Sequence, residues 1–204
     1  MAVRALAPFC DGPRLHFISN VDGAHAVDVL SSLDPERTLV LIASKTFTTL
    51  ETLTNANTAK AWLAQGVEEK KLSAHLAALS TNADATAAFG IAPDRMFGFW
   101  DYVGGRYSLW SSIGLPLAIA IGSARFEAFL AGAHGMDRHF ADAPLADNLP
   151  IILALIGLWR RNGLGLVSHG VIPYEERLAR FPAFVQQPDL ETRAEKRRVG
   201  EEGK

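Results

Sequence analysis

The sequence predicts an α/β protein with a mostly parallel sheet and helices on both faces. Several short apolar runs contain too few polar residues to alternate, which is typical of strands that are covered on both faces. Ala- and Leu-rich segments with helical spacing lie between these runs. Strands and helices that alternate along a chain favour a parallel sheet connected by crossover helices. With 204 residues, the chain is long enough to form one such domain around a sizeable core.

The predicted strands are short segments bounded by Gly, Pro, Asn and Asp, which are common in turns. They cover residues 15–19, 38–43, 96–100 and the segment around 165–167.

The predicted helices carry apolar residues at helical spacing. They cover residues 24–33, 48–65, 72–79, 112–121, 125–133, 148–161 and 174–187. The longest apolar stretch, residues 149–159, has 11 positions, whereas a membrane-spanning helix needs about 20. We therefore expect a buried helix there and no membrane association.

The end of the chain differs in composition from the rest. Residues 192–204 include eight charged side chains, and only Ala194 and Val199 are apolar. Such a segment cannot pack a core face, so it is predicted to be a solvated helix or a disordered tail. The predicted organisation is one domain over residues 1–191 followed by this charged tail.

Charge and cysteine content exclude several classes of protein. The 20 basic and 22 acidic residues give a net charge of −2, which argues against broad electrostatic binding to nucleic acid or to an anionic membrane. The one cysteine, Cys10, excludes an internal disulfide and fits a reducing compartment. His134 and His139 are five residues apart and do not share a helix face, so no metal site is predicted.

The most informative local motif is the serine–threonine loop, residues 44–49, which reads Ser-Lys-Thr-Phe-Thr-Thr. It lies between a predicted strand and a predicted helix, where free backbone N–H groups and hydroxyls favour phosphate binding and Lys45 would add a positive charge. A second interpretation is a capping box formed by Thr48 and Glu51, which requires no ligand. Both interpretations stay open, and they are compatible.

The glycine–arginine loop, residues 104–106, is a second candidate. Two glycines let the backbone turn sharply and approach a ligand, and Arg106 could then bind an oxyanion or a carboxylate. A structural salt bridge of Arg106 is the alternative. The sequence has no HExxH, GxSxG, Walker A or GxGxxG motif, so hydrolase and nucleotide-binding functions have no support.

Several motifs together resemble the phosphoglucose isomerase family, also called glucose-6-phosphate isomerases. In order along the chain they are SNVDG (19–23), IASKTFTT (42–49), VGGRYSLWS (103–111), AGAHGMDRHF (131–140), NLP (148–150), VIPY (171–174) and FVQQ (184–187). The resemblance extends over roughly residues 2–191.

The resemblance implies a role for individual residues. Ser44, Lys45, Thr46 and Thr49 would belong to a loop that binds the substrate phosphate. Gly105 and Arg106 match the position where the family uses an arginine to stabilise the enediolate intermediate. Residues 186–191, Gln-Gln-Pro-Asp-Leu-Glu, resemble the family's Gln-Gln-Gly-Asp-Met-Glu, so Glu191 would be the base that moves a proton between C1 and C2 and Gln187 would lie beside the substrate.

The resemblance also implies a fold and a reaction. The fold would be a three-layer sugar-isomerase-type domain whose first strand precedes Met1 and is missing, which predicts a marginal or aggregation-prone domain. The reaction would interconvert glucose 6-phosphate and fructose 6-phosphate in glycolysis and gluconeogenesis without a metal or organic cofactor. Family members are cytoplasmic homodimers.

The chain matches only the central part of the family sequence. The glycine-rich segment before Met1 and the ring-opening histidine are missing, Pro188 replaces a glycine, and the sequence after Glu191 diverges. We therefore expect a fragment with little or no turnover alone. The alternatives are a non-enzymatic module that binds sugar phosphates and a remnant without function.

Overall fold

A computed structural model describes residues 1–190, with Arg106 described by its backbone only. The chain forms two compact units, one made of Arg14–Pro116 and the other of Met1–Pro13 together with the chain from Leu117 onwards. The predicted boundary at residue 191 and the predicted charged tail stay predictions, because residues 191–204 lie outside the described part of the chain.

The described residues form helices, three short strands and several 3₁₀ turns. The helices are α1 (Ala2–Ala5), α2 (Gly23–Leu30), α3 (Leu50–Leu63), α4 (Ala83–Phe89), α5 (Leu115–Ile121), α6 (Ser123–Asp142) and α7 (Leu149–Leu158). Residues 181–190 are helical as well. The strands are β1 (Val40–Ala43), β2 (Leu76–Leu79) and β3 (Met96–Phe97).

The sheet is parallel, with the order β1-β2-β3 and with Ile42 opposite Ala78. The predicted α/β class is confirmed. Because the strands are parallel, the loops that follow β1 and β2 meet at one edge of the sheet. The backbone N–H of Ser44 continues the ladder by donating to the Leu79 carbonyl over 3.0 Å.

The core of the first unit lies between one face of the sheet and helix α3. Ile42 on β1 and Ala78 on β2 point to this face, and Leu63 of α3 packs there with no exposed surface. The other members of this core are Phe47, Ala56, Val67, Leu76 and Ile91. The core thus holds the start of α3 and the loop before it against the sheet.

Two strand predictions are confirmed in shorter form and two are wrong. Strands β1 and β3 lie within the predicted segments 38–43 and 96–100. Residues 15–19 and 165–167 contain no strand, and Phe17 and Val167 are more than half exposed. An apolar run becomes a strand only where a neighbour completes its hydrogen-bond ladder, and no described strand pairs with either segment.

The helix predicted at residues 72–79 is also wrong. A 3₁₀ segment, Glu69–His75, is followed there by β2, every residue of which is buried. Ala and Leu have high intrinsic helix propensity, but burial between two parallel strands overrides that preference.

The other predicted helices exist with shifted ends. Helix α2 begins where the Asp22 carboxylate accepts the backbone N–H of Ala24 over 3.0 Å. Helix α6 continues to Asp142, nine residues beyond its predicted end, and α1 and α4 were not predicted. In the segment predicted at 174–187, a 3₁₀ turn at Glu176–Leu178 precedes the helix over residues 181–190.

Helix α7 forms as predicted, but it is not buried. None of its residues is buried, and Leu153 is 66% exposed. A helix that is apolar on all sides normally indicates burial, yet the described neighbours leave this one open. Asn148 ties its start to α6, because its side-chain amide donates to the Phe140 carbonyl over 2.8 Å. No described helix is long and apolar enough to cross a bilayer.

The N-terminal segment of the second unit is bound closely to the end of α5. The backbone N–H groups of Asp11 and Gly12 both donate to the Ala120 carbonyl over 3.1 Å. The Asp11 carboxylate also accepts a hydrogen bond from the Arg125 guanidinium over 2.6 Å, and this bond lowers the pKa of Asp11 from its usual value.

We expect Gly12→Ala to lower the free energy of unfolding by about 1–3 kcal/mol, which is typical of overpacking. A Cβ at this position would collide with the backbone carbonyl of Ile119, so the segment would have to shift. Urea unfolding of the chain measures the effect. Gly132→Ala in α6 is the matched control, because its Cβ would meet no atom and it should be neutral or stabilising by up to about 1 kcal/mol. Equal stabilities of the two variants would contradict this account of the segment.

Candidate functional site

The serine–threonine loop lies at the carboxyl end of β1 and leads directly into α3, as the sequence predicted. Ser44 is buried at its base, whereas Thr46, Thr48 and Thr49 are exposed. The hydroxyls approach one another in pairs: Ser44 Oγ donates to Thr49 Oγ1 over 3.3 Å, and the Oγ1 atoms of Thr46 and Thr48 are 2.6 Å apart. The loop therefore presents several hydroxyls at the start of a helix.

The capping-box interpretation is wrong. The N-cap residue of α3 is Thr49, and its side chain makes no capping hydrogen bond. Among the described residues, no acceptor is bound by the backbone N–H groups of residues 46–49. These N–H groups lie in the loop just before α3, with Thr49 as the N-cap, so they are available to an anion near the positive end of the helix dipole.

Phe47 holds the middle of the loop in place. It has a positive φ of 55°, a left-handed conformation that side chains other than Asn and Asp rarely adopt. Its ring is buried and meets the Phe89 ring edge-on at a centroid distance of 5.7 Å. Burial of the ring offsets the backbone strain, and such strained residues often occur at functional sites.

Lys45 connects the serine–threonine loop to the segment that leads into the glycine–arginine loop. Its ammonium donates to the backbone carbonyls of Asp101 over 2.6 Å and of Val103 over 3.4 Å. The side chain is therefore already engaged, and its positive charge lies between the serine–threonine loop and residues 101–103.

The glycine–arginine loop begins a 3₁₀ segment, Gly105–Trp110. Gly105 and the backbone of Arg106 form its first turn. A surface cavity of about 430 Å³ lies on the same segment. Its lining is mostly aromatic and consists of Gly98, Phe99, Trp100, Tyr102, Val103, Tyr107, Trp110, Ser111 and Ser112.

Within the first unit, the structure joins Lys45 to the segment just before Gly105 and Arg106, while the predicted residues near the end of the chain lie in the second unit or beyond the described residues. Gln187 lies in the helix over residues 181–190, within the second unit. Glu191 lies outside the described residues.

Of the two histidines considered as a metal pair, His139 accepts the backbone N–H of Leu149 at its Nε2 over 3.1 Å. Residues 1–190 contain no group of His, Cys, Asp and Glu side chains suited to a metal ion.

Three further residues lie at the edge of the sheet where the carboxyl ends of β1 and β2 meet, and they were not predicted from the sequence. They are Ser80, Thr81 and Asn82, which follow β2. All three bind backbone carbonyls of the serine–threonine loop. A polar Ser-Thr-Asn triplet directly after a buried strand is a recognisable signal. It was missed because the preceding residues were predicted to form a helix.

Known proteins identify the family to which the chain belongs. The family model for phosphoglucose isomerase matches residues 1–204. The chain belongs to the phosphoglucose isomerase family.

Individual relatives support the same assignment to the phosphoglucose isomerase family. Glucose-6-phosphate isomerases from Brucella ovis and Brucella anthropi are 60% and 61% identical to this chain over 192 residues. That alignment covers 94% of this chain and 35% of each relative, so the chain spans about a third of the length of these curated relatives.

Solved structures show the same fold. A glucose-6-phosphate isomerase from Chlamydia trachomatis aligns with a TM-score of 0.82 at 34% identity, covering 91% of this chain and 36% of that chain. A hypothetical protein from Thermus thermophilus aligns with a TM-score of 0.76 at 30% identity, covering 90% of this chain and 43% of that chain.

Proposed function

We propose that this chain provides the phosphate-binding part of a glucose-6-phosphate isomerase, an enzyme that interconverts an aldose phosphate and a ketose phosphate. The observation that carries the proposal is the serine–threonine loop of a family member, in which the N–H groups of residues 46–49 bind no described acceptor. Open N–H groups in a loop that leads into a helix, surrounded by hydroxyls, suit a phosphate ester.

Phosphate binding is assigned to Ser44, Thr46 and Thr49 through their hydroxyls, together with the open N–H groups. Lys45 contributes a positive charge, although its ammonium also binds the backbone carbonyls of residues 101 and 103. The phosphate then fixes one end of the open-chain sugar, which leaves C1 and C2 to the rest of the site.

The proton transfer is assigned to residues beyond this loop. Glu191 would take the proton from C2 of the aldose and return it to C1, and Arg106 would stabilise the negative charge of the enediolate. Gly105 lets the backbone approach the substrate, and Gln187 lies beside it in this proposal. The reaction is a redistribution of hydrogen within one molecule, so it requires no external oxidant or reductant, and the resemblance implies no metal or organic cofactor.

Calorimetry with 6-phosphogluconate tests the binding step. We expect the chain to bind this ligand with millimolar or better affinity and not to bind gluconate, which differs by lacking the phosphate. Thr46→Ala should weaken the binding several-fold, because it removes one hydroxyl donor. Equal heats for gluconate and 6-phosphogluconate would contradict the proposal.

A second candidate is a module that binds sugar phosphates without turning them over. The serine–threonine loop supports it as well, because open N–H groups and hydroxyls can bind a phosphate without supplying a base for proton transfer. A coupled assay that detects fructose 6-phosphate formation separates the two: turnover requires an isomerase, whereas binding without turnover favours the module. We also propose, as the resemblance implies, that the protein is cytoplasmic and that it forms a homodimer. Sedimentation of the protein tests the dimer.

A further inference from the structure

We infer that Ser80, Thr81 and Asn82 are positioning residues that fix the orientation of the peptide groups in the serine–threonine loop. This inference rests on the proposed function, because it concerns how that loop is prepared for an anion. We call the three residues the carbonyl clamp. They act through the loop backbone and are not assigned any contact with substrate.

The first half of the clamp holds the carbonyl oxygen of Lys45. That oxygen accepts three hydrogen bonds: from Ser80 Oγ over 3.0 Å, from Thr81 Oγ1 over 2.8 Å and from the Thr81 backbone N–H over 2.9 Å. A carbonyl oxygen has two lone pairs, so three donors on one oxygen saturate it. This concentration of donors fixes the direction of the Lys45 carbonyl.

The second half of the clamp holds the next carbonyl along the loop. The Asn82 side-chain N–H donates to the Thr46 carbonyl over 3.0 Å, while its Oδ1 accepts the backbone N–H of Ala85 over 3.0 Å and caps α4. Ser80 has no exposed surface, and its Oγ accepts the Asn82 backbone N–H over 3.1 Å. The clamp is thus itself held by β2 and by the start of α4.

The orientation of the two carbonyls determines that of two N–H groups. No described peptide bond is cis, and in a trans peptide the C=O and the following N–H point in opposite directions. Because the carbonyls of Lys45 and Thr46 point toward the clamp, the N–H groups of Thr46 and Phe47 point away from it. These two N–H groups are among those that bind no described acceptor. The clamp therefore aims donors at the place proposed for the phosphate before any ligand binds.

Thr81 allows a test that separates the hydroxyl from the packing of the side chain. Thr81→Val keeps the shape and removes the hydroxyl, whereas Thr81→Ser keeps the hydroxyl and removes the methyl group. Asn82→Asp keeps the oxygen that caps α4 and replaces the donor to Thr46 by an acceptor. Thr58→Val is the matched control, since Thr58 Oγ1 also donates to a backbone carbonyl, that of Thr54, but on an exposed part of α3.

The first measurement is the affinity of each variant for 6-phosphogluconate. We expect Thr81→Val to weaken binding by about three- to tenfold, the effect of one hydrogen bond, and Asn82→Asp to weaken it by at least as much, because its carboxylate also repels the anion. Thr81→Ser and Thr58→Val should remain within a factor of two of the unchanged chain. If Thr81 only packs against its neighbours, Thr81→Ser should bind 6-phosphogluconate more weakly and Thr81→Val should bind it with unchanged affinity. That result would overturn the inference.

The second measurement is hydrogen exchange of the backbone N–H at position 81 in the chain without ligand. This group donates to the clamped Lys45 carbonyl, so we expect its exchange to become about three- to tenfold faster in Thr81→Val and Asn82→Asp but not in Thr81→Ser. Unchanged exchange in both variants would overturn the inference. If the unchanged chain fails to bind 6-phosphogluconate, the proposed function fails, and the exchange rates alone decide whether the clamp exists.

Discussion

Thr46→Glu is expected to reduce the affinity for 6-phosphogluconate by at least about 100-fold. The substitution places a carboxylate on the exposed side of the serine–threonine loop, where the phosphate is proposed to bind. Two like charges about 4 Å apart repel by about 4 kcal/mol near a protein surface, which exceeds the energy of a hundredfold change. Calorimetry with the full chain measures the effect.

Thr46→Gln is the matched control for this substitution. Glutamine has nearly the same size as glutamate and carries no charge, so it should cost only the lost hydroxyl and some crowding, about tenfold or less. Equal losses in the two variants would mean that bulk and not charge weakens binding. In that case the loop would not be a site for an anion.

Leu79→Ala is expected to have the largest effect on stability, about 2–5 kcal/mol, because it leaves a cavity where a leucine is fully buried. Leu79 ends the central strand β2, where it lies opposite Ala43 and Phe97. Its carbonyl accepts the N–H of Ser44, and the carbonyl clamp begins at the next residue. The loss of stability should therefore be accompanied by weaker binding of 6-phosphogluconate.

Leu39→Ala provides the comparison, because Leu39 precedes β1 and is 51% exposed. We expect this variant to lose no more than about 0.5 kcal/mol, as is usual for surface positions. Urea unfolding of both variants measures the difference. Similar values for the two leucines would be inconsistent with a core centred on β2.

The fold could be predicted from the sequence where a segment's own pattern agrees with its surroundings. Strand β1 and helices α2 and α3 are such segments, because β-branched residues, an aspartate cap and helical spacing each favour the observed structure. Strand β2 could not be predicted in this way. Its Leu-Ala-Ala-Leu sequence favours a helix locally, and only pairing with β1 and β3 makes it a strand.

The candidate site could likewise be predicted only where the local sequence pattern agrees with the surrounding structure. The serine–threonine loop was predicted because the strand before it and the helix after it were both recognisable. The carbonyl clamp was missed because its contacts join residues about 35 positions apart, and only the correct placement of β2 brings them together. Exposure of α7 could not be predicted either, since an apolar helix indicates an apolar surface without indicating which residues cover it.

Titration of the ¹⁵N-labelled chain with 6-phosphogluconate, followed by NMR, tests most directly whether the serine–threonine loop binds a phosphate. The account predicts that the backbone N–H signals of residues 46–49 shift the most and that gluconate at the same concentrations leaves them in place. Signals of these four residues that stay unchanged on saturation with 6-phosphogluconate, while others move, would contradict it.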